Sequence, residues 1–410
     1  MNGGAARGGF DTVVVGAGPA GSIAALVLAR AGARVALVDR SSFPRDKACG
    51  DLIGPRGVQL LQDLGLRIPA FGRGSDMLVV GPSGGRARLP AFPGRTYADH
   101  GVIAPRRIFD DLLRSEAIAA GATPMTGRIV EIARTSDGSR KALTASDGTT
   151  VRGRVVIGAD GALSSTAHLA GMLDADAAMW GFAIRGYVSA EVPLPLLALL
   201  DARPGWIFPG YGWLFPGADG EANIGIGLAL RRRHRPAARL RDELARLCAR
   251  LRASGDLPAA TRPGSITGGW LRMGGVGVRP ARDNVLLVGD AAGLVNPLQG
   301  EGIAPAMVSG RLAAEAVLAG AAHAGERYTD ALEAHFSKFM VGAAAVQTQM
   351  LRRPRFTSMS ARVLTSPGVR RVVAGTWSLY LNGLVDGAEP RPSAWGAGAL
   401  QRAVGRLATT

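Results

Sequence analysis

Three glycines near the amino terminus have the spacing with which proteins hold a pyrophosphate. Gly16, Gly18 and Gly21 form a Gly-x-Gly-x-x-Gly run between a short apolar segment and a charge-free helical one. Gly16 permits a tight turn, Gly18 lets backbone amides approach the phosphates, and Gly21 allows close packing of helix on strand. Asp39 ends the next apolar segment, where a carboxylate can accept hydrogen bonds from a ribose. We therefore expect a dinucleotide here, bound also by Pro19, Ala20 and Arg40.

A second glycine-rich run, far along the chain, indicates which dinucleotide binds. Asp290 follows the buried strand 284–288, so it lies at the carboxyl end of that strand, where open α/β sheets bind ligands. Glycines at the start of the next helix expose amide groups that suit the negative charge of a reduced isoalloxazine ring. A purely structural turn between strand and helix is the alternative. We expect FAD, held by Gly289, Asp290, Pro297, Gly300, Gly302 and Ile303.

The elements that must position these residues form a mixed α/β fold. The first unit is a strand at 10–15, a helix at 22–31 and a second strand at 34–38, a βαβ arrangement. The uncharged segment 12–29 is long enough to resemble a membrane span, but the order of its glycines and proline favours the phosphate turn. We predict a Rossmann-like FAD-binding domain with an interleaved antiparallel β-sheet substrate domain and a helical C-terminus. The predicted parts are FAD-binding 9–71, 101–171 and 276–324, substrate 72–100 and 172–275, and C-terminal helical 325–410.

At these residues the chain resembles the FAD-dependent oxidoreductases of the aromatic-hydroxylase structural class and, within it, the geranylgeranyl reductase family. The resemblance covers about residues 10–320. The βαβ unit and the run from Gly289 to Gly302 are typical of the whole class, whereas Phe43-Pro44-Arg45-Asp46-Lys47-Ala48-Cys49-Gly50-Asp51 and Tyr211-Gly212-Trp213-Leu214-Phe215-Pro216 resemble the reductases.

This resemblance implies roles for individual residues. Asp290 would bind the ribityl chain, and residues 300–303 would face the N1–C2 edge of the flavin. Arg106, in an Arg-x-x-Phe-Asp run, would approach the FAD phosphates. Asp160 lies in 158–164, which resembles the second conserved stretch of the class. Lys47 would hold the cofactor or a substrate phosphate, although a solvated loop lysine is an equal alternative.

The sequence leaves two possible sources of electrons. The family usually has an arginine shortly after Ser164, but here Ala167 and His168 occupy those positions. No second Gly-x-Gly-x-x-Gly lies between a strand and a helix, so a dedicated nicotinamide domain is not expected. Electrons must then come from NADPH or NADH that docks transiently, or from a separate reductase or other electron-donor protein.

Aromatic side chains are concentrated in one short segment. Alternation along a strand places Tyr211, Trp213 and Phe215 on one face. That face could be an ordinary sheet core or the wall of an apolar substrate cavity. On the second interpretation the substrate-binding residues are Trp206, Phe208, Trp213 and Phe215.

Two residues could supply a proton if the reaction is reduction of a C=C bond. In that reaction flavin N5 delivers hydride to one carbon, and an acid must protonate the other. Cys49 and Tyr211 are the candidate catalytic donors. A buried, inert thiol is the alternative for Cys49, because free cysteines often behave as small hydrophobic residues.

Composition limits the remaining classes of function. The chain of 410 residues has 48 basic and 32 acidic side chains, a net charge of +16, and only 5% aromatic residues. Scattered arginines explain most of the charge; a basic face for anionic lipid or a phosphorylated substrate is the alternative. Nucleic-acid binding is not expected. Two cysteines exclude a disulfide framework, and the histidines lack metal-ligand spacing, so we predict no metal.

The sequence therefore leads to three hypotheses. The first is an FAD-dependent oxidoreductase that reduces C=C bonds of an apolar isoprenoid or polycyclic small molecule. The second is a flavin-dependent monooxygenase, a hydroxylase or epoxidase of a natural-product-type substrate, because reduced flavin on this scaffold can react with oxygen. The third is a basic membrane-surface binding protein with a structural flavin. We predict a cytoplasmic location, with peripheral membrane contact as an option.

Overall fold

The computed structural model describes residues 9–69, 72–74, 76–136, 138, 141–199, 210–217, 219–230, 233, 237–384 and 391–408. Its strands are β1 (Phe10–Val15), β2 (Val35–Asp39), β3 (Leu52–Ile53), β4 (Gly72–Gly74), β5 (Met77–Val80), β6 (Arg86–Leu89), β7 (Gly101–Ile103), β8 (Thr123–Thr126), β9 (Ile129–Arg134), β10 (Lys141–Ala145), β11 (Thr150–Gly158), β12 (Met179–Ser189), β13 (Leu196–Leu199), β14 (Gly210–Pro216), β15 (Glu221–Leu230), β16 (Thr267–Met273), β17 (Ala281–Arg282) and β18 (Val285–Leu287). Its helices are α1 (Pro19–Arg30), α2 (Pro55–Asp63), α3 (Arg106–Ala119), α4 (Ser165–Leu169), α5 (Ala237–Ala253), α6 (Ile303–Leu318), α7 (Ala324–Leu332), α8 (Lys338–Arg352), α9 (Pro354–Leu364), α10 (Pro367–Asn382) and α11 (Arg391–Ala408).

The first sheet carries the phosphate turn. Its eight strands follow the order β17-β18-β11-β1-β2-β8, and β10 and β9 extend it from β11. Strands β18, β11, β1, β2 and β8 are parallel. Parallel strands are covered on both faces, which explains their continuous apolar runs, such as the buried Val13–Val15. The carboxyl ends of β1, β2 and β18 therefore meet at one edge of the sheet.

The second sheet forms a wall above that edge. Its seven strands follow the order β16-β12-β15-β14-β13-β5-β6. Helix α5 covers one face, where its Leu247 side chain lies so close to Gly212 that a Cβ there would be 2.3 Å away. Trp213 and Phe215 belong to the opposite face, together with Leu197 of β13. Alternation thus separates a face covered by a helix from one that looks toward the first sheet.

The last helices complete the body. Helix α10 packs on β6, and α11 packs on α8 and α10. Strands β5 and β6 come from residues 72–100 but pair into the second sheet through β13, so the two sheets are interleaved along the chain. The expected mixed α/β fold with a helical C-terminus is confirmed. The domain boundaries stay predictions.

Candidate active site

The first glycine turn forms an open cradle of backbone amides. Gly16 has φ +103°, and a Cβ there would lie 2.4 Å from the Ala159 carbonyl oxygen; a Cβ on Gly21 would lie 1.8 Å from the Gly16 oxygen. Neither position accepts a side chain. At Gly18, by contrast, the nearest atom to a Cβ is Arg45 Nη2 at 3.5 Å. Helix α1 begins there with no side-chain cap and no acid in its first turn, which leaves its positive end available to an anion.

Asp39 is held beside this cradle by backbone donors. Its Oδ2 accepts a hydrogen bond from Ala17 N at 2.7 Å, and its Oδ1 accepts one from Ser41 N at 2.8 Å. Each carboxylate oxygen keeps a free lone pair, so the group can still accept from a ribose. Arg40 is exposed. Both assignments to the cofactor stay predictions.

The two glycine turns, far apart in sequence, lie next to each other. A Cβ on Gly289 would come within 3.3 Å of Ala20 Cβ and 3.1 Å of Ala306 Cβ. A Cβ on Gly310 would lie 2.2 Å from the Ala20 oxygen, because α1 and α6 pack backbone to backbone. These small residues bring the start of α1 and the loop after β18 into one site.

The second turn provides an acid and another set of amides. Asp290 is largely buried and pairs with Lys47, whose Nζ lies 3.6 Å from Oδ2. Gly300 has φ +71°, and a Cβ there would lie 3.1 Å from the Tyr211 hydroxyl. Helix α6 then begins at Ile303. Two glycine turns that expose backbone amides, with the Asp290 carboxylate at the second, fit a flavin dinucleotide.

The arginine expected at the phosphates is paired with a carboxylate of its own helix, and its approach to the FAD phosphates stays a prediction. Arg106 is buried and donates from Nε and Nη2 to both oxygens of Asp110, at 2.7 and 2.8 Å. Burial alone would lower the pKa of Arg106, but Asp110 raises it above its usual value. Arg45 also contacts Asp110, through Nη1 at 3.0 Å, while its other nitrogen faces Gly18. The sequence reasoning assigned no role to Arg45, although it lies within the quoted 43–51 run.

Asp160 acts within its own segment. Its carboxylate accepts hydrogen bonds from Ser165 Oγ at 3.0 Å and from Thr166 N at 2.9 Å, and the Ser164 hydroxyl also donates to it. These bonds fix the start of α4. The neighbouring Ala159 backbone packs on Gly16. A direct contact of Asp160 with the cofactor stays a prediction.

The loop with the Cys-Gly-Asp run is fastened to the second sheet. Asn223 Nδ2 donates to Cys49 O and to Asp51 Oδ2, both at 2.8 Å, and the Tyr187 hydroxyl donates to Asp51 Oδ2 at 2.5 Å. Burial raises the pKa of Asp51. A Cβ on Gly50 would lie 3.0 Å from the Phe215 ring, so the loop lies directly on the aromatic face. The reductase-like loop and the aromatic strand thus form one unit.

Three groups near this unit have pKa values raised by burial. Burial raises the pKa of the Cys49 thiol, with Arg106 opposing the shift. Burial also raises the pKa of Tyr211, whose hydroxyl donates to Gln299 O. Glu301, which sequence reasoning missed, has a pKa raised by burial to about 7, and its Oε1 accepts from Ala304 N at 3.0 Å. Its position between two glycines of the turn could have marked it.

A cavity of about 1530 Å³ joins these parts. This exceeds the usual range of about 300–1,000 Å³ for a single ligand, so there is room for two molecules end to end. Apolar side chains of the second sheet and of α10 form its outer part, among them Met77, Val79, Leu197 and Trp377. Predicted site residues on its wall are Pro19, Lys47, Cys49, Arg106, Tyr211, Trp213, Phe215, Asp290, Pro297, Gly300, Gly302 and Ile303. Trp206 and Phe208 lie outside the described residues.

The fold and the paired glycine cradles define a flavoprotein oxidoreductase. Residues 9–338 match the FAD binding domain family, and the chain belongs to that family. It is 38% identical to the menaquinone reductase of Mycolicibacterium smegmatis over 86% of this chain and 87% of that protein. It is 33% identical to the geranylgeranyl diphosphate reductase of Rhodobacter capsulatus over 76% of this chain and 75% of that protein. The expected FAD and the resemblance to geranylgeranyl reductases are confirmed.

Solved structures agree on the fold. A geranylgeranyl bacteriochlorophyll reductase-like protein from Thermoplasma acidophilum superposes with a TM-score of 0.73 at 20% identity, over 97% of this chain and 98% of that chain. A flavin-dependent brominase superposes with a TM-score of 0.66 at 17% identity, over 96% of this chain and 98% of that one.

Among the described residues, no helix combines the length and apolar character needed to cross a bilayer.

Proposed function

We propose that this protein is an FAD-dependent reductase of C=C bonds in an isoprenoid lipid, of which an isoprenoid quinone is the first candidate. The observation that carries the proposal is the continuous cavity, which leads from the two glycine cradles to an apolar chamber lined by Trp213 and Phe215. The relatives named menaquinone reductase and geranylgeranyl diphosphate reductase support this class of substrate. An apolar chain buried there would displace ordered water from an apolar surface.

The polar end of the cavity would hold the cofactor. The amides at Gly18 and the guanidinium of Arg45 would bind the pyrophosphate, and Asp39 would bind a ribose. Asp290 would accept hydrogen bonds from the ribityl chain while Lys47 neutralises it. The amides at 300–303 would face the ring. Reduced FAD supplies a hydride when bound.

The protein itself must supply the proton. Reduction of one C=C bond adds a hydride to one carbon and a proton to the other, so the donor must carry its proton at neutral pH. Cys49 and Tyr211 both meet that condition, because burial keeps each protonated. Two electrons are consumed per bond. We infer that NADPH, NADH or an electron-donor protein returns them.

An anaerobic experiment tests the reaction. The flavin is photoreduced without oxygen, and an isoprenoid quinone or geranylgeranyl diphosphate is then added while the flavin absorbance is followed. Reoxidation with a product that is two hydrogens heavier in its isoprenoid chain supports the reductase, whereas two hydrogens gained by the quinone ring alone contradict it. Product that forms only after air is admitted, with an oxygen atom from O2, would instead establish the monooxygenase. No reoxidation by any substrate and no product after air would leave the flavin structural and contradict both.

A further inference from the structure

Two exposed apolar residues lie at the outer end of the cavity. Met359 and Val363 belong to α9, are 54% and 49% exposed, and also line the cavity. The same stretch of wall includes Arg352 and Arg353 at the end of α8, both exposed. The mouth of the cavity therefore presents apolar and basic side chains together. Large exposed apolar side chains beside a binding cavity commonly mark an interaction surface.

The exposed side chains that the structure describes on helix α9 form an outward stripe. Arg355, Met359, Arg362 and Val363 fall at positions i, i+4, i+7 and i+8 and are all exposed. The other side of the segment is fixed to the second sheet, since a Cβ on Gly81 would lie 1.9 Å from Thr365 Oγ1. The stripe is thus held outward by packing at the end of the helix.

The charge of this part of the chain has one sign. From Lys338 to Leu384 the sequence contains seven basic residues and no acidic one. Asp76, an acid of the cavity wall, is paired with Arg88, whose Nε lies 2.6 Å from Oδ2. A basic helix with an apolar stripe is the type of element that lies in the headgroup layer of an anionic membrane.

We propose that the outward face of α9, with the adjoining end of α8, docks on an anionic lipid bilayer and opens the cavity toward the lipid. The surface consists of Arg352, Arg355, Met359, Arg362 and Val363. This inference rests on the proposed function, because docking would let a lipid-soluble substrate enter the cavity without crossing water. Helix α9 has 11 residues and lies along the surface; it does not span it.

Vesicle sedimentation of the FAD-loaded protein tests the surface without any substrate. Vesicles of phosphatidylcholine with and without phosphatidylglycerol are compared at low and high salt. We expect binding to the anionic vesicles that weakens with salt. Met359→Asp with Val363→Asp should lower the partition coefficient at least tenfold. Arg352→Gln with Arg355→Gln should lower it about 25-fold, from about fivefold per basic residue.

A matched control carries the same charge change elsewhere. Val130→Asp with Leu318→Asp replaces two side chains of similar exposure, 47% and 44%, away from the cavity mouth, and should change binding less than twofold. Flavin content and circular dichroism check the fold of every variant.

Four results would overturn the proposal. They are no binding to anionic vesicles, equal binding to neutral ones, unchanged binding of the α9 variant, and a solution dimer that the α9 variant dissociates. Because the assay contains no substrate, its failure is distinguishable from failure of the reductase chemistry.

Discussion

Replacement of Asn223 by Ala is the sharpest test of how the Cys-Gly-Asp loop is joined to the second sheet. Asn223 is 1% exposed. Its Oδ1 accepts a hydrogen bond from Trp213 Nε1 at 2.8 Å, and its Nδ2 donates to Cys49 O and Asp51 Oδ2. One amide therefore holds the cavity wall and the Cys-Gly-Asp loop together.

The expected loss of stability follows from the buried polar groups that the substitution leaves without a partner. An indole N–H, a carbonyl oxygen and a carboxylate oxygen would each lose a partner in a buried place. Each such loss costs about 1–3 kcal/mol, and Asp51 keeps its bond from Tyr187, so we expect a total of about 3–5 kcal/mol. The loop would also lose its fixed position, so FAD affinity should fall together with stability.

Two assays measure these effects. Urea unfolding of the FAD-saturated protein gives the loss of stability, and fluorescence titration of the apoprotein with FAD gives the change in affinity. Thr144→Ala is the matched control, because it removes an exposed hydrogen bond to Glu131, 3.1 Å long, from the other sheet. That control should change the free energy of unfolding by less than about 0.5 kcal/mol. A loss below about 1 kcal/mol for Asn223→Ala, with FAD affinity unchanged, would refute the proposed role of this amide.

Four further substitutions test the site. Cys49→Ala should keep the protein yellow and folded but lower turnover with isoprenoid substrate, and an unchanged rate would remove the thiol from the mechanism. Asp290→Ala should release FAD on gel filtration, whereas full occupancy would contradict its assignment. Arg45→Ala should weaken FAD binding about tenfold or more, from one lost charge-assisted contact, while Arg152→Ala, at an exposed arginine of β11, serves as control in the same titration. Glu301→Gln should remove a pH dependence of stability. Burial holds the pKa of Glu301 near 7, above its ordinary value of 4.5, so the native state loses about 3 kcal/mol as pH rises from about 4.5 to 7 and little beyond. Scanning calorimetry should find a fall in Tm of about 4 °C between about pH 4.5 and 8 that is absent in the variant.

Local patterns explain what could be predicted from the sequence. The phosphate turn depends on three glycines and two flanking apolar strands, all within 30 residues, and each glycine has a steric reason that holds in any βαβ unit. The face shared by Trp213 and Phe215 follows from strand alternation, which does not depend on the partner strands. These features are the ones the structure reproduces most directly.

Partners distant in sequence explain what could not be predicted. Arg45 lies next to Gly18 because of the path of the loop after β2, which the spacing of residues in the sequence does not show. The bond from Asn223 to Asp51 joins positions 172 residues apart. The C-terminal segment could be recognised as helical and basic, but its place over the cavity is set by contacts such as that between Thr365 and Gly81.

The two ends of the cavity differ in chemistry, and this difference indicates by which end a substrate enters. The inner end contains Lys47 and Asp290, whose charges suit a phosphorylated cofactor, whereas the outer end is apolar with a basic rim. A lipid chain that entered from the inner end would have to desolvate those charged groups, which is costly. Entry past α9 avoids that cost and brings the chain onto Trp213 before it reaches Cys49. Substrate exchange is therefore expected to proceed with FAD in place.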